Sequence, residues 1–199
     1  MAIAANAILG RAGVHPEESV VILGTGPIAL LALQMVRSAG AAFVATTGLD
    51  ADEEVRFSIA RDLGADACLN AERTDAAAAV RKMMSGRGVD LVVDLSGAPP
   101  AIVSGFRMLK KNGRFCAIGL PGSEVVLPWS ELVLNACTVH FSYSSDYIAW
   151  ERCLSMLSER RVRTEGFTDN VFPLESWSEA FDSAASGRVL KAIVNPHPK

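Results

Sequence analysis

The sequence predicts an α/β fold, a doubly wound parallel sheet of six strands with helices on both faces. Three observations carry that prediction. Short apolar runs alternate with helix-favouring stretches, and glycine or proline marks most boundaries. The first sharp boundary, Gly24-Thr25-Gly26-Pro27, turns a β-branched run into one rich in leucine and alanine. Half of the 199 residues are hydrophobic against 21% charged, enough apolar mass for a core on each side of a sheet.

The elements follow in order. Residues 2–10 read as a helix feeding Gly13. Residues 20–23 form a continuous apolar run, the signature of a strand buried on both faces. Pro27 suits the first turn of a helix, where its missing N–H had no partner, and that helix runs to Ser38 before Gly40. Residues 42–46 are the second strand. Asp50, three residues before Glu53, reads as a capping box opening a helix over 51–63 that stops at Gly64. Residues 67–69 are a third strand. Thr74 or Asp75 caps an alanine-rich helix ending near Gly86. Residues 91–95 are the fourth strand, Pro99 and Pro100 open a helix to Lys111, and 114–118 form the fifth strand before Gly119. A short helix falls within 127–135, and residues 138–143 make the sixth strand. An amphipathic helix over 146–160 carries Ile148, Cys153, Leu154 and Leu157 on one face. Strand-like 171–174, a helix over 177–186 and a strand over 189–194 complete the chain. The organisation expected is a lead-in helix and loop over 1–17, a dinucleotide-binding domain over 18–144, and C-terminal helices and strand over 145–199.

Composition narrows the function. Nineteen basic residues face 22 acidic ones, with no basic block, so nucleic acid is not an expected partner. Residues 19–36 carry no charge, but Gly24, Gly26, Pro27 and Gln34 interrupt them, so no membrane span is expected. The start MAIAANAILGR lacks the basic region of a secretory signal. The four cysteines form no CxxC pair, as in a reduced, cytoplasmic protein, and no internal metal site is expected. No Ser–His–Asp order or carboxylate pair suggests hydrolysis. His140, in a strand, and His15, before Pro16, read as packed and inert respectively. Trp129, Trp150 and Trp177 read as core anchors of their helices.

The sharpest chemical signal is G-x-G-x-x-A at 24–29, between a strand and a helix. Gly24 permits the tight turn, Gly26 lets a pyrophosphate approach the backbone, and Ala29 lets helix pack on strand. The helix N-terminus offers the phosphates unpaired N–H groups and partial positive charge. This is the phosphate turn of a Rossmann-type fold, and it implies NAD or NADP. Such folds place an acid at the end of the second strand to hold the adenosine ribose. Here Gly48 stands in its place and Asp50 two residues on, with the role of helix cap as its competing reading. Gly48 leaves space and no repelling charge, so a 2′-phosphate is permitted, with Thr46, Thr47 and Arg56 in reach. The choice between the two coenzymes stays open.

The chain resembles a known family. GTGPIAL at 24–30, GAD at 64–66, GVDLVVDLSG at 88–97 and GRFCAIG at 113–119 occur in this order and spacing in medium-chain alcohol and polyol dehydrogenases. GxGPIxL is similar to the zinc-containing branch, which includes sorbitol and threonine dehydrogenases; Ala29 and Gly48 depart from its pattern. The resemblance implies hydride transfer between NAD(P) and a small alcohol or polyol, assisted by zinc. It also implies a preceding catalytic domain, shaped like a GroES barrel, that holds the zinc. Neither set of zinc ligands is in this sequence, so the chain reads as the cofactor-binding half, inactive alone, whether an excised piece or a truncated gene product. By resemblance, Ile28 backs the nicotinamide ring. Leu95, Ser96 and Gly97 lie beside the adenosine. Gly119, Leu120 and Pro121 meet the carboxamide, with Phe141 and its two successors as a second contact. The sixth strand is expected at a sheet edge, pairing two copies into a homodimer, with Val125, Val126, Leu127, Trp129, Leu132 and Leu134 beside the contact. The alternatives are a zinc-free quinone or enoyl reductase domain of the same superfamily and a stand-alone, non-catalytic dinucleotide-binding module.

Overall fold

Val20, Val21, Ile22 and Leu23 are all wholly buried, as a strand flanked by two others and covered on both faces must be. They belong to β1 (Ser19–Leu23), the centre of a six-stranded parallel sheet. The computed structural model describes residues 1–197, so the last two positions of the expected 145–199 segment lie outside the described residues. The chain divides into two compact units, Met1–Val162 and Arg163–Lys199.

In the first unit, α1 (Ala2–Ala5) continues into a π-helical stretch, Asn6–Ala12. After β1 come α2 (Pro27–Ser38), β2 (Phe43–Gly48), a 3-10 turn Asp50–Asp52, α3 (Arg56–Asp62) and β3 (Ala67–Asn70). Then follow α4 (Ala76–Met83), β4 (Val89–Asp94), α5 (Pro99–Met108), β5 (Leu109–Ala117), α6 (Trp129–Leu134), β6 (Thr138–Phe141) and α7 (Tyr147–Ser158). The strand order is β3-β2-β1-β4-β5-β6, doubly wound as the sequence predicts. In β1, Val20 lies between Val44 and Leu91. The even spacing of hydrophobics on one face joins Val21, Leu23 and Val92 to Phe106 and Phe115, whose rings stack 4.1 Å apart. The GAD motif has a structural use: Asp66 accepts the Val44 N–H at 2.8 Å and pairs with Arg37 at the end of α2.

Several elements differ from expectation. The helix expected over 51–63 begins at Arg56, because Asp52 takes the Leu49 N–H at 2.9 Å and closes a 3-10 turn first. Asp50 therefore caps nothing. The helix expected to reach Lys111 stops at Met108, because Leu109 pairs with Val89 and enters β5. Gly88, at φ 85°, brings its backbone so close that a Cβ there would lie 2.5 Å from the Met108 carbonyl oxygen. The buried stripe of α7 is Ala149, Cys153 and Met156, whereas Ile148 and Leu154 are exposed. The three tryptophans are not core anchors: Trp129, Trp150 and Trp177 are 73%, 59% and 57% exposed. Trp150 directly follows the buried Ala149, so the helical turn aims it elsewhere. The first unit includes α7, which packs on α1, so the two units divide at 162/163 where the sequence suggested 144/145.

The second unit holds a parallel pair, β7 (Val171–Pro173) and β8 (Ile193–Asn195), a 3-10 turn Leu174–Ser176 and α8 (Trp177–Ala185). Trp177 and Phe181 meet edge to face. Among the described residues no helix is long and apolar enough to cross a membrane.

Candidate dinucleotide site

Because every strand of the sheet is parallel, the segments that follow β1, β2, β4, β5 and β6 all leave from one edge. That edge gathers the residues singled out in the sequence. β1 and β4 are neighbours, and their onward connections go opposite ways, which opens a crevice at the switch point.

At the end of β1, Gly24 adopts φ 107°, and its N–H donates to the Thr47 carbonyl at 3.0 Å. Thr46 donates its hydroxyl to the Gly24 carbonyl at 2.8 Å, so the turn is tied to β2 twice. Thr25 is buried within it. Gly26, which has no side chain to cap with, is the N-cap of α2, and Pro27 follows it. A Cβ built on Gly26 meets nothing within 4 Å. The space in front of the free N–H groups of Ile28 and Ala29 is therefore open to an anion. Ile28 is exposed at the same helix end.

The end of β2 departs from expectation. Gly48 does not leave space: a Cβ there would stand 2.7 Å from Phe57 Cε1 and 2.8 Å from Asp52 Oδ2. Arg56 pairs through one guanidinium nitrogen with Asp52 at 2.9 Å, and Thr46 and Thr47 are buried at the end of β2. Asp50 accepts from Asn70 Nδ2 at 2.6 Å and pairs with Arg73 at 2.7 Å, which together hold its carboxyl below the usual range. Glu53 takes the same two partners, at 2.8 and 3.0 Å. The backbone N–H of Asp50 donates to Glu72 Oε2 at 2.6 Å. Beside this network lies a cleft of about 350 Å³ lined by Leu23, Thr47, Leu49, Glu72 and Ala98 among others.

At the end of β4, Asp94 is wholly buried. Its Oδ1 accepts from Ser96 N, Ser96 Oγ and Gly97 N at 3.0, 2.7 and 3.1 Å, which shapes the Leu95–Ser96–Gly97 turn. Its Oδ2 has no hydrogen-bond partner among the described residues. Burial first, then the Asp94 charge, push the Cys116 thiol up to about 12. Gly97 and Gly119 touch: a Cβ on Gly119 would lie 2.2 Å from Gly97 N. Leu120 is exposed on the β5 side, and Phe141, at the end of the edge strand β6, is 80% exposed.

Sequence reasoning missed Asp94, Glu72, Asn70 and Arg73. The acid that closes the apolar run 91–93 is the available signal for Asp94. Nothing in the sequence announces that the start of the loop after β3 comes to the end of β2. His140 is half-buried in β6 and His15 is exposed. Among the described residues no three His, Cys, Asp or Glu side chains stand together as metal ligands, so these residues do not fit a zinc site.

The family model for zinc-binding dehydrogenases matches residues 27–159. The chain is 30% identical over 189 residues to sorbitol dehydrogenase of Halalkalibacterium halodurans, covering 94% of this chain and 54% of that protein. It is 29% identical over 200 residues to D-arabitol-phosphate dehydrogenase of Enterococcus avium, covering 100% of this chain and 56% of that one. The alcohol dehydrogenase structure of Thermus sp. ATN1 superposes with a TM-score of 0.88 at 22% identity, over 98% of this chain and 56% of that one. The chain thus spans about half the length of the relatives it matches.

Proposed function

The chain belongs to the zinc-binding dehydrogenase family, and from that premise we propose that it is the part that holds NAD(P) in an oxidoreductase acting on a small alcohol or polyol. The observation that carries this reading is the open space before Gly26 at the N-terminus of α2. The coenzyme, when bound, supplies the hydride acceptor or donor. Gly24 and Gly26 bring the backbone up to its pyrophosphate, and the N–H groups of Ile28 and Ala29 bind the charge. The cleft beside Leu49 takes the adenine end, and the Leu95–Ser96–Gly97 turn adjoins it. The side chain of Ile28 and the backbone of Gly119 and Leu120 serve the nicotinamide end, with Phe141 further along the same edge. The hydride-transfer partner site belongs, in this reading, to a further domain of the whole enzyme.

The test is titration of reduced nicotinamide fluorescence. Gly26→Val places a branched side chain in the phosphate space, and coenzyme affinity should fall at least about tenfold, or 1.4 kcal/mol. Equal binding by wild type and variant would sink the assignment.

We also infer a homodimer formed through β6. That strand is the sheet's edge, with Val139 and Phe141 exposed, and a groove of about 560 Å³ lined in part by Val125, Leu127 and Leu132 runs beside it. The four cysteines are free, which suits a reducing, cytoplasmic setting.

A further inference from the structure

We propose that this chain selects the unphosphorylated coenzyme, NAD, and that Glu72, set beside Asp50, supplies the ribose-facing carboxylate that β2 lacks at Gly48. The proposal rests on the dinucleotide reading above and takes it to the adenosine ribose.

Position 48 cannot hold the acid that folds of this kind place there, because Phe57 and Asp52 fill the volume that a side chain would enter. Asp52 does not replace it. One of its oxygens accepts the Leu49 N–H, the other pairs with Arg56, and the residue is buried. Glu72 is placed differently. It leaves β3 at the same sheet edge, it is exposed, and it lines the cleft with Leu23, Thr47 and Leu49. The Asp50 N–H fixes its Oε2 at 2.6 Å, while its other oxygen holds no hydrogen bond among the described residues. Asn70, buried at the end of β3, donates to both Asp50 and Glu53. An ionised carboxylate only accepts hydrogen bonds, so this corner matches ribose hydroxyls, which donate them.

Charge points the same way. Glu72 lines the cleft, and beside it Asp50 and Glu53 share the guanidinium of Arg73. Arg56 is bound to Asp52. A 2′-phosphate, itself carrying nearly two negative charges, would meet three carboxylates and two arginines already engaged.

NADH and NADPH titrated into the 199-residue chain test this, with Glu72→Gln and Glu72→Arg beside wild type. Both substitutions are at an exposed site, and circular dichroism checks that the fold is kept. NADH should bind at least about tenfold more tightly than NADPH. Glu72→Gln should narrow the gap severalfold, and Glu72→Arg should bring NADPH to parity or beyond. Equal wild-type affinities, or a ratio unchanged in both variants, would overturn the proposal and leave the dinucleotide reading standing. Binding of neither coenzyme would overturn that reading and this proposal with it.

Discussion

Two glycines in contact set the tightest constraint at the scale of single residues. Gly97 and Gly119 end the turns after β4 and β5, and Asp94 lies directly beneath both. Gly97 also needs φ 65°, a conformation that suits glycine. A methyl group on Gly119 would have to displace the Gly97 backbone and the Asp94 carboxylate at once. The first is backbone, and the second is a buried carboxylate pinned by three hydrogen bonds on Oδ1. Gly119→Ala should therefore cost about 3 kcal/mol, well above an ordinary surface change, and a urea melt would measure it. Gly122→Ala, where a Cβ meets nothing within 4 Å, is the matched control and should cost little. Asp94 itself shows how a site residue escapes a sequence reading. Its position in a buried strand is legible, but its role depends on two turns that come together only in space.

Among elements, the loop before β1 is locked to β5 by one ion pair, Glu18 with Arg114 at 2.7 Å. Burial raises the Glu18 pKa, but the Arg114 hydrogen bond, the His15 N–H and the Arg114 charge outweigh it, and the net shift is downward from 4.5. A carboxylate with a lowered folded value adds stability that is complete above its unfolded value. That stability is lost as pH falls through the folded value. Urea midpoints should thus hold steady above pH 4.5, as far as this group is concerned, and decline below it. Glu18→Gln should flatten part of that decline; an unaltered profile would remove the pair from the account. The elements themselves were read best where local chemistry decides alone. Pro27 and Gly40 bracket α2, and Asp75 caps α4 by accepting the Ala78 N–H at 3.0 Å. They were read worst where a distant partner decides. The end of α5 yields to strand pairing between Leu109 and Val89, and the start of α3 is set by which of two nearby acids, Asp50 or Asp52, turns inward. Helical periodicity does not reveal, for α7, that Ala149, Cys153 and Met156 form the inner stripe, because larger apolar residues sit on the outer face.

At the scale of the whole molecule, β6 is one edge of the sheet and carries exposed apolar side chains. Phe141, Tyr143 and Trp129 are exposed there, a concentration of apolar surface uncommon on a lone domain. The strand carries no acidic or basic charge between Thr138 and Phe141 beyond His140, so nothing repels a second edge. Light scattering at micromolar concentration should give twice the chain mass, and Phe141→Lys should return it to one. A monomer in both cases would count against the homodimer.

The arrangement of the central strands also governs the order in which the protein can be made. β1 and β4 lie side by side, and Ser19 donates to Asp90 across 71 residues of chain. As the nascent polypeptide emerges, β1, β2 and β3 are complete long before β4 exists. Until Val89–Asp94 arrives, Val20 to Leu23 have a bare edge, and the sheet has only half its width. Closing so long a loop is entropically slow, and non-local parallel pairing slows it further. The half-sheet is thus the vulnerable species of biosynthesis, the stage at which misassembly competes with progress.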